Sequence, residues 1–173
     1  MIGDRINGRT FDEPEFLPFW KAAEQLGSVI LVHQGGPTVV DERTSRYHLP
    51  NTIANLADRA VTFASLVFGG VMDRYPALKV CLAHAGGYTC FGIGRMDRGW
   101  QVRSEARVHI PKPPSTYLGR FYYDCITHSE GSPTHGDRHR RHRQGGFRHR
   151  LALRHGHRLA GYLAIGPGEL DPR

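Results

Sequence analysis

Two apolar runs without alternation, Ser28-Val29-Ile30-Leu31-Val32 and Lys79-Val80-Cys81-Leu82-Ala83, each end in a histidine that is soon followed by two glycines. A strand that is apolar at successive positions, rather than at every second one, is covered on both faces, as the strands of parallel sheets are. Helical patterns lie between these runs. Asp12-Glu13-Pro14-Glu15 places acids and a proline in a first turn, with Phe16, Phe19, Trp20, Ala23 and Leu26 on one face and Gly27 as the stop. Ile53, Leu56, Ala57, Ala60, Ala64 and Val67 form a second face that closes at Gly69-Gly70. A third helix is expected from about Tyr88 to Trp100, then a proline-rich connection at residues 111–114, then a strand Phe121-Tyr122-Tyr123-Asp124-Cys125. Alternating strands and helices predict an α/β fold. Three strand ends that each carry His or Asp predict an incomplete (β/α)8 TIM barrel with its site at the C-terminal ends of the strands.

His33 and His84 are the leading site candidates. A single histidine at a strand end is more often structural than a ligand. Two in parallel positions, each near a Gly pair that admits close approach to the backbone, suit a divalent metal such as zinc. His48, in Arg46-Tyr47-His48-Leu49-Pro50, lies in a connection and is either a substrate contact or a turn cap; His128 follows the third strand and is a candidate for the same mouth. Asp124 is a candidate for a supporting residue behind the site or a structural acid. Three cysteines, Cys81, Cys90 and Cys125, are too few and too irregularly spaced for a disulfide framework or thiolate zinc site. No stretch reaches the roughly 18–20 apolar residues of a membrane span, and Met1-Ile2-Gly3-Asp4-Arg5 has no signal pattern, so a soluble cytoplasmic protein is expected.

The chain divides at about residue 130. Residues 131–173 hold nine arginines, no lysine, six histidines and three acids, so they carry +6 of the formal +7 charge. Asp137-Arg138-His139-Arg140-Arg141-His142-Arg143-Gln144 has no apolar period of 3.6 or 2 and specifies no core. One reading is a solvated basic arm that binds nucleic acid. The preferred reading is a GC-rich gene translated out of frame after Glu130. Allowed codons for residues 147–155, read one base forward, give Phe-Gly-Thr-Asp-Trp-Pro-Phe-Asp. Residues 1–130 are therefore taken as part of a barrel and 131–173 as a disordered Arg/His-rich tail.

Leu31-Val32-His33, Tyr47-His48-Leu49-Pro50-Asn51, Phe68-Gly69-Gly70-Val71, Leu82-Ala83-His84-Ala85-Gly86-Gly87, Ile93-Gly94-Arg95 and Phe121-Tyr122-Tyr123-Asp124 resemble the amidohydrolase-related family, in the branch of aminocarboxymuconate-semialdehyde decarboxylase. The hidden Gly-Thr-Asp-Trp-Pro-Phe-Asp resembles that family's motif at its last barrel strand. The resemblance implies a metal-dependent, non-oxidative decarboxylase or hydrolase of a small aromatic or unsaturated carboxylic acid, with no specific nucleic-acid or membrane partner, and it allows a homodimer for the intact enzyme. It implies His33 as a metal ligand, His84 as the general acid/base and Arg95 as the binder of a substrate carboxylate, a task suited to a bidentate guanidinium. Two departures stand out. The family's opening His-x-His pair has no counterpart here, and its metal-binding Asp falls on a codon straddling Arg150 and Leu151. Expected consequences are loose metal binding and a chain inactive by itself, since catalytic sites use about three protein ligands.

Overall fold

The computed structural model describes residues 1–36, 38, 39 and 41–128. The Arg/His-rich segment 131–173, expected to be disordered and out of frame, lies outside the described residues.

Three parallel strands form the sheet, β1 (Val29–Val32), β2 (Lys79–Leu82) and β3 (Tyr122–Tyr123), in that spatial order. Val29 pairs with Lys79 and Val32 with Leu82, while Cys81 pairs with Tyr122. A further segment lies on the other side of β1, where Ile2 bridges Val32 in parallel. Its N–H donates to the Leu31 carbonyl at 2.9 Å and its carbonyl accepts from His33 N–H at 3.0 Å. Four chain segments therefore run side by side in one direction. Parallel neighbours need long crossovers, and helices supply them: α1 (Leu17–Gln25) precedes β1, while α2 (Asp41–Thr44), α3 (Asn55–Phe68) and α4 (Val71–Arg74) separate β1 from β2. The longest, α3 and α5 (Thr89–Val102), have 14 residues each, and α5 lies between β2 and β3. Among the described residues no helix is long and apolar enough to cross a membrane.

The core sits between sheet and helices. Trp20, Phe63, Leu66, Met72, Val80 and Leu82 are all fully buried, and Trp20 Nε1 donates to the Phe11 carbonyl at 2.7 Å, which satisfies the polar end of the largest ring.

Two helical faces differ from the sequence expectation. The start at Asp12–Glu15 becomes a 3-10 turn, Pro14–Phe16, and α1 buries Trp20 and Ala23 while Phe19 and Leu26 stay exposed. Leu26 caps the helix C-terminus, where no element among the described residues covers it. In α3 the expected apolar face turns partly away: Leu56, Ala57, Ala60 and Ala64 are only half-buried, and Asn55, Asp58, Arg59 and Thr62 are buried beside Phe63, Leu66 and Val67. Apolar periodicity assigns charges to solvent, but at this helix's N-terminal half the neighbouring surface is itself polar.

Candidate active site

The ends of the parallel strands bring His33 and His84 together. Their ring centroids lie 5.3 Å apart, with planes inclined at 57°. His33 follows β1 directly and is half-buried, fixed through its N–H to Ile2. His84 opens a 3-10 turn, His84–Gly86, after β2. Its φ is 56° and that of Ala85 is 51°, both in the left-handed region that side chains disfavour.

Three of the four glycines beside the two histidines serve the protein's own packing. A Cβ on Gly86 would stand 2.7 Å from the Tyr123 ring, and one on Gly87 would stand 2.2 Å from the Leu56 carbonyl oxygen. That oxygen accepts the Tyr88 N–H at 3.1 Å, so α3 and the His84 loop interlock backbone to backbone. Gly35 likewise meets Gly3, 3.3 Å from where its Cβ would be. The Gly pairs read from the sequence as openings for a ligand are, at Gly35, Gly86 and Gly87, places where another part of the chain comes close.

Asp124, buried at the end of β3, reaches the same loop. Its Oδ1 accepts the Ala85 N–H at 2.9 Å and the Ile126 N–H at 3.1 Å. Behind it, α3 contributes a fully buried Arg59, ion-paired with Asp4 and lying close enough to Asp58 and Asp124 to feel both carboxylates. Asp4 also accepts from Thr62 Oγ1 at 3.0 Å, and Asp58 accepts the Val39 N–H at 3.0 Å. Burial outweighs attraction in the ion pair: desolvation lowers the Arg59 pKa and raises that of Asp4 despite their contact. Arg59 Nε and Nη1, Gln34 Oε1 and His84 Nδ1 are buried without a hydrogen-bond partner among the described residues.

Burial disfavours the charged form of His84. Desolvation, chiefly, lowers its pKa below the ordinary 6.5, opposed by the Asp124 carboxylate and assisted by the Arg59 guanidinium and the neighbouring imidazoles of His33 and His128. Burial, with Asp124 adding to it, pushes the Cys81 thiol up to about 12, so Cys81 is a core thiol and no nucleophile.

Of the residues singled out in the sequence, His33, His84, Asp124 and His128 converge, the last through its effect on His84. His48 and Arg95 are exposed. His48 has a φ of 59°, and its carbonyl accepts from Asn51 N–H, Thr52 N–H and Thr52 Oγ1, each at 3.2 Å, at the start of a π-helical turn, Pro50–Ala54. Arg95 lies on α5; its neighbour Asp97 accepts the Ser115 N–H at 2.8 Å instead of pairing with it. Sequence reasoning missed Arg59, Asp4 and Asp58, for which the pattern holds no signal beyond charges placed in a helix and a loop.

The Amidohydro_2 family model, Amidohydrolase, matches residues 3–125. The chain belongs to the amidohydrolase family. It is 36% identical over 131 residues to the 2-amino-3-carboxymuconate-6-semialdehyde decarboxylase of Dictyostelium discoideum, covering 75% of this chain and 36% of that protein. The structure is similar to 5-carboxyvanillate decarboxylase from Sphingomonas paucimobilis, at TM-score 0.61 and 26% identity over 71% of this chain and 38% of that one. It is also similar to dihydroxybenzoic acid decarboxylase from Polaromonas sp. JS666 with bound manganese and 2-nitroresorcinol, at TM-score 0.56 and 26% identity, covering 66% of this chain and 36% of that one. This amidohydrolase chain thus spans little more than a third of the length of these relatives, and its sheet and helices are part of an α/β TIM barrel.

Family membership implies a divalent metal. Among the described residues, however, there is no group of three or more His, Cys, Asp or Glu placed to hold one. A pair of imidazoles is a partial donor set, and the described residues do not make a metal site on their own.

Proposed function

We propose that this chain carries the proton-transfer segment of a non-oxidative decarboxylase, a carbon–carbon lyase acting on a small aromatic or unsaturated carboxylic acid. The observation that carries the reading is His84, an imidazole whose Nδ1 is buried without a hydrogen-bond partner among the described residues, set beside His33 and backed by a carboxylate at the mouth of a parallel sheet. Loss of CO2 leaves an electron pair on the carbon that bore it, and a proton must replace the carboxylate there. An imidazole can take a proton from water on a ring nitrogen and deliver it to that carbon. The decarboxylase names of the relatives support this reading over hydrolysis. His33 is proposed as one metal ligand and Arg95, with His48, as a carboxylate contact. Zinc is among the ions that imidazole donors suit, and manganese, bound in the dihydroxybenzoic acid decarboxylase, is its competitor.

The test is a chimera in which residues 3–125 replace the matching segment of the Dictyostelium decarboxylase. The chimera should bind about one divalent ion per site and release CO2, with His84→Ala abolishing turnover and His33→Ala weakening the metal. The 173-residue chain alone should release none. A folded, metal-loaded chimera that is inert toward muconate and hydroxybenzoate acids, or indifferent to His84→Ala, overturns the reading.

A further inference from the structure

We propose that Asp124 is a positioning residue for His84: through one carboxylate oxygen it pins the left-handed backbone after β2 and thereby sets where the His84 imidazole stands. This rests on His84 being the proton-transfer group. Four consecutive residues, His84, Ala85, Gly86 and Gly87, have φ of 56°, 51°, 76° and 57°. Two of them carry side chains, which makes the conformation unfavourable by itself, and such backbone persists only where its surroundings over-determine it. Gly86 and Gly87 are set by the Tyr123 ring and the Leu56 carbonyl, and Thr89 Oγ1 donates to the Gly86 carbonyl at 2.6 Å. None of these contacts involves the Ala85 amide. That amide donates to Asp124 Oδ1, which also accepts the Ile126 N–H.

One oxygen therefore joins the loop carrying His84 to the turn after β3, which leads to His128, whose φ of 54° is also left-handed. Aspartate suits the task because its side chain is short and because Asp124 N–H is itself tied to the Leu82 carbonyl at 3.3 Å, so the carboxylate hangs from the sheet. Two properties of the group separate cleanly. Its charge faces Arg59 and His84, and its acceptor capacity faces two backbone amides. Asparagine keeps the acceptor and drops the charge; leucine, of similar shape, drops both.

The experiment is NMR on the full 173-residue chain and its Asp124→Asn and Asp124→Leu variants, at about pH 8.5, where imidazole is neutral. Hydrogen exchange is followed at Ala85 and Ile126 against Val80, and the His84 ring resonance is identified by its loss in His84→Gln. In Asp124→Leu, exchange at Ala85 and Ile126 should rise by about tenfold or more relative to Val80, and the His84 ring resonance should move. In Asp124→Asn both should stay as in the parent. Unchanged Ala85 exchange and His84 resonance in folded Asp124→Leu overturns the proposal, as does an Asp124→Asn variant that disturbs both. If Asp124→Leu does not fold, Asp124→Ala, which also drops the acceptor, takes its place under the same two outcomes. Failure of the function reading looks different, with the His84 loop pinned by Asp124 but the chimera's turnover insensitive to His84→Ala.

Discussion

Burial is the main cause of the pH sensitivity expected of His84. Its folded pKa lies below the unfolded 6.5, so in that interval the unfolded chain binds a proton that the folded one refuses. The sign follows: His84 costs nothing above the unfolded value, and stability is lost as pH falls from about 6.5 toward the folded pKa. Relative to His84→Gln, the parent chain should become progressively less stable across that window, as read by denaturant unfolding at a series of pH values. A gap that is constant with pH counts against a desolvated imidazole. Gly87 offers a second measurement. A Cβ there collides with the Leu56 carbonyl at 2.2 Å and must also adopt a φ of 57°, so Gly87→Ala should destabilise by more than about 2 kcal/mol. Gly36→Ala, at a φ of 110° with nothing among the described residues within 4 Å of its Cβ, should bear the strain without the collision and cost less. At this scale the sequence was informative where a residue type carries its own chemistry: His33 and His84 were placed at strand ends and meet there. It is ambiguous at Gly35, Gly86 and Gly87, because a ligand's approach and the approach of another part of the chain demand the same missing Cβ.

Helix α3 shows what periodicity leaves out. The strands were legible because an apolar run with no alternation has few other structural meanings, and β1 and β2 fall within the expected runs. The helix was legible in extent, ending before Gly69-Gly70, yet its buried face includes Asp58, Arg59 and Thr62. A buried charge is invisible to a hydrophobic pattern because its burial is made tolerable by partners far away in sequence, here Asp4, 55 residues from Arg59. Those partners also make it vulnerable. Arg59→Met leaves Asp4 and Asp58 buried without their counter-charge and should cost about 3–5 kcal/mol, whereas adding Asp4→Asn, which keeps an acceptor for Thr62, should recover part of the loss. A double-mutant cycle measured by chemical unfolding reads the coupling directly. Strict additivity would mean that the pair contributes nothing as a pair.

On the scale of the whole molecule, the site is assembled from strand ends that the described residues supply in part: two imidazoles, one supporting carboxylate, and none of the remaining ligands that a catalytic metal needs. The carboxylate expected on a further strand is written, in the frameshift reading, across Arg150 and Leu151, where the second and third bases of an arginine codon and the first base of a leucine codon can spell aspartate. The same shift turns a stretch with no apolar period into Phe-Gly-Thr-Asp-Trp-Pro-Phe-Asp, which ends an apolar start in an acid, as Phe121-Tyr122-Tyr123-Asp124 does at the end of β3. Two measurements follow from one cause. The genomic DNA downstream of the Glu130 codon should encode Gly-Thr-Asp in the next frame, and a chain re-expressed in that frame should bind Zn2+ or Mn2+ at least about tenfold more tightly than the 173-residue chain, because a negatively charged ligand joins His33. Calorimetry with the metal alone reads the second, and Asp→Asn at the restored position should reverse the gain. A locus with no such codons removes the frameshift account and leaves residues 131–173 as a basic arm, whose nucleic-acid affinity would then have to fall steeply with added salt.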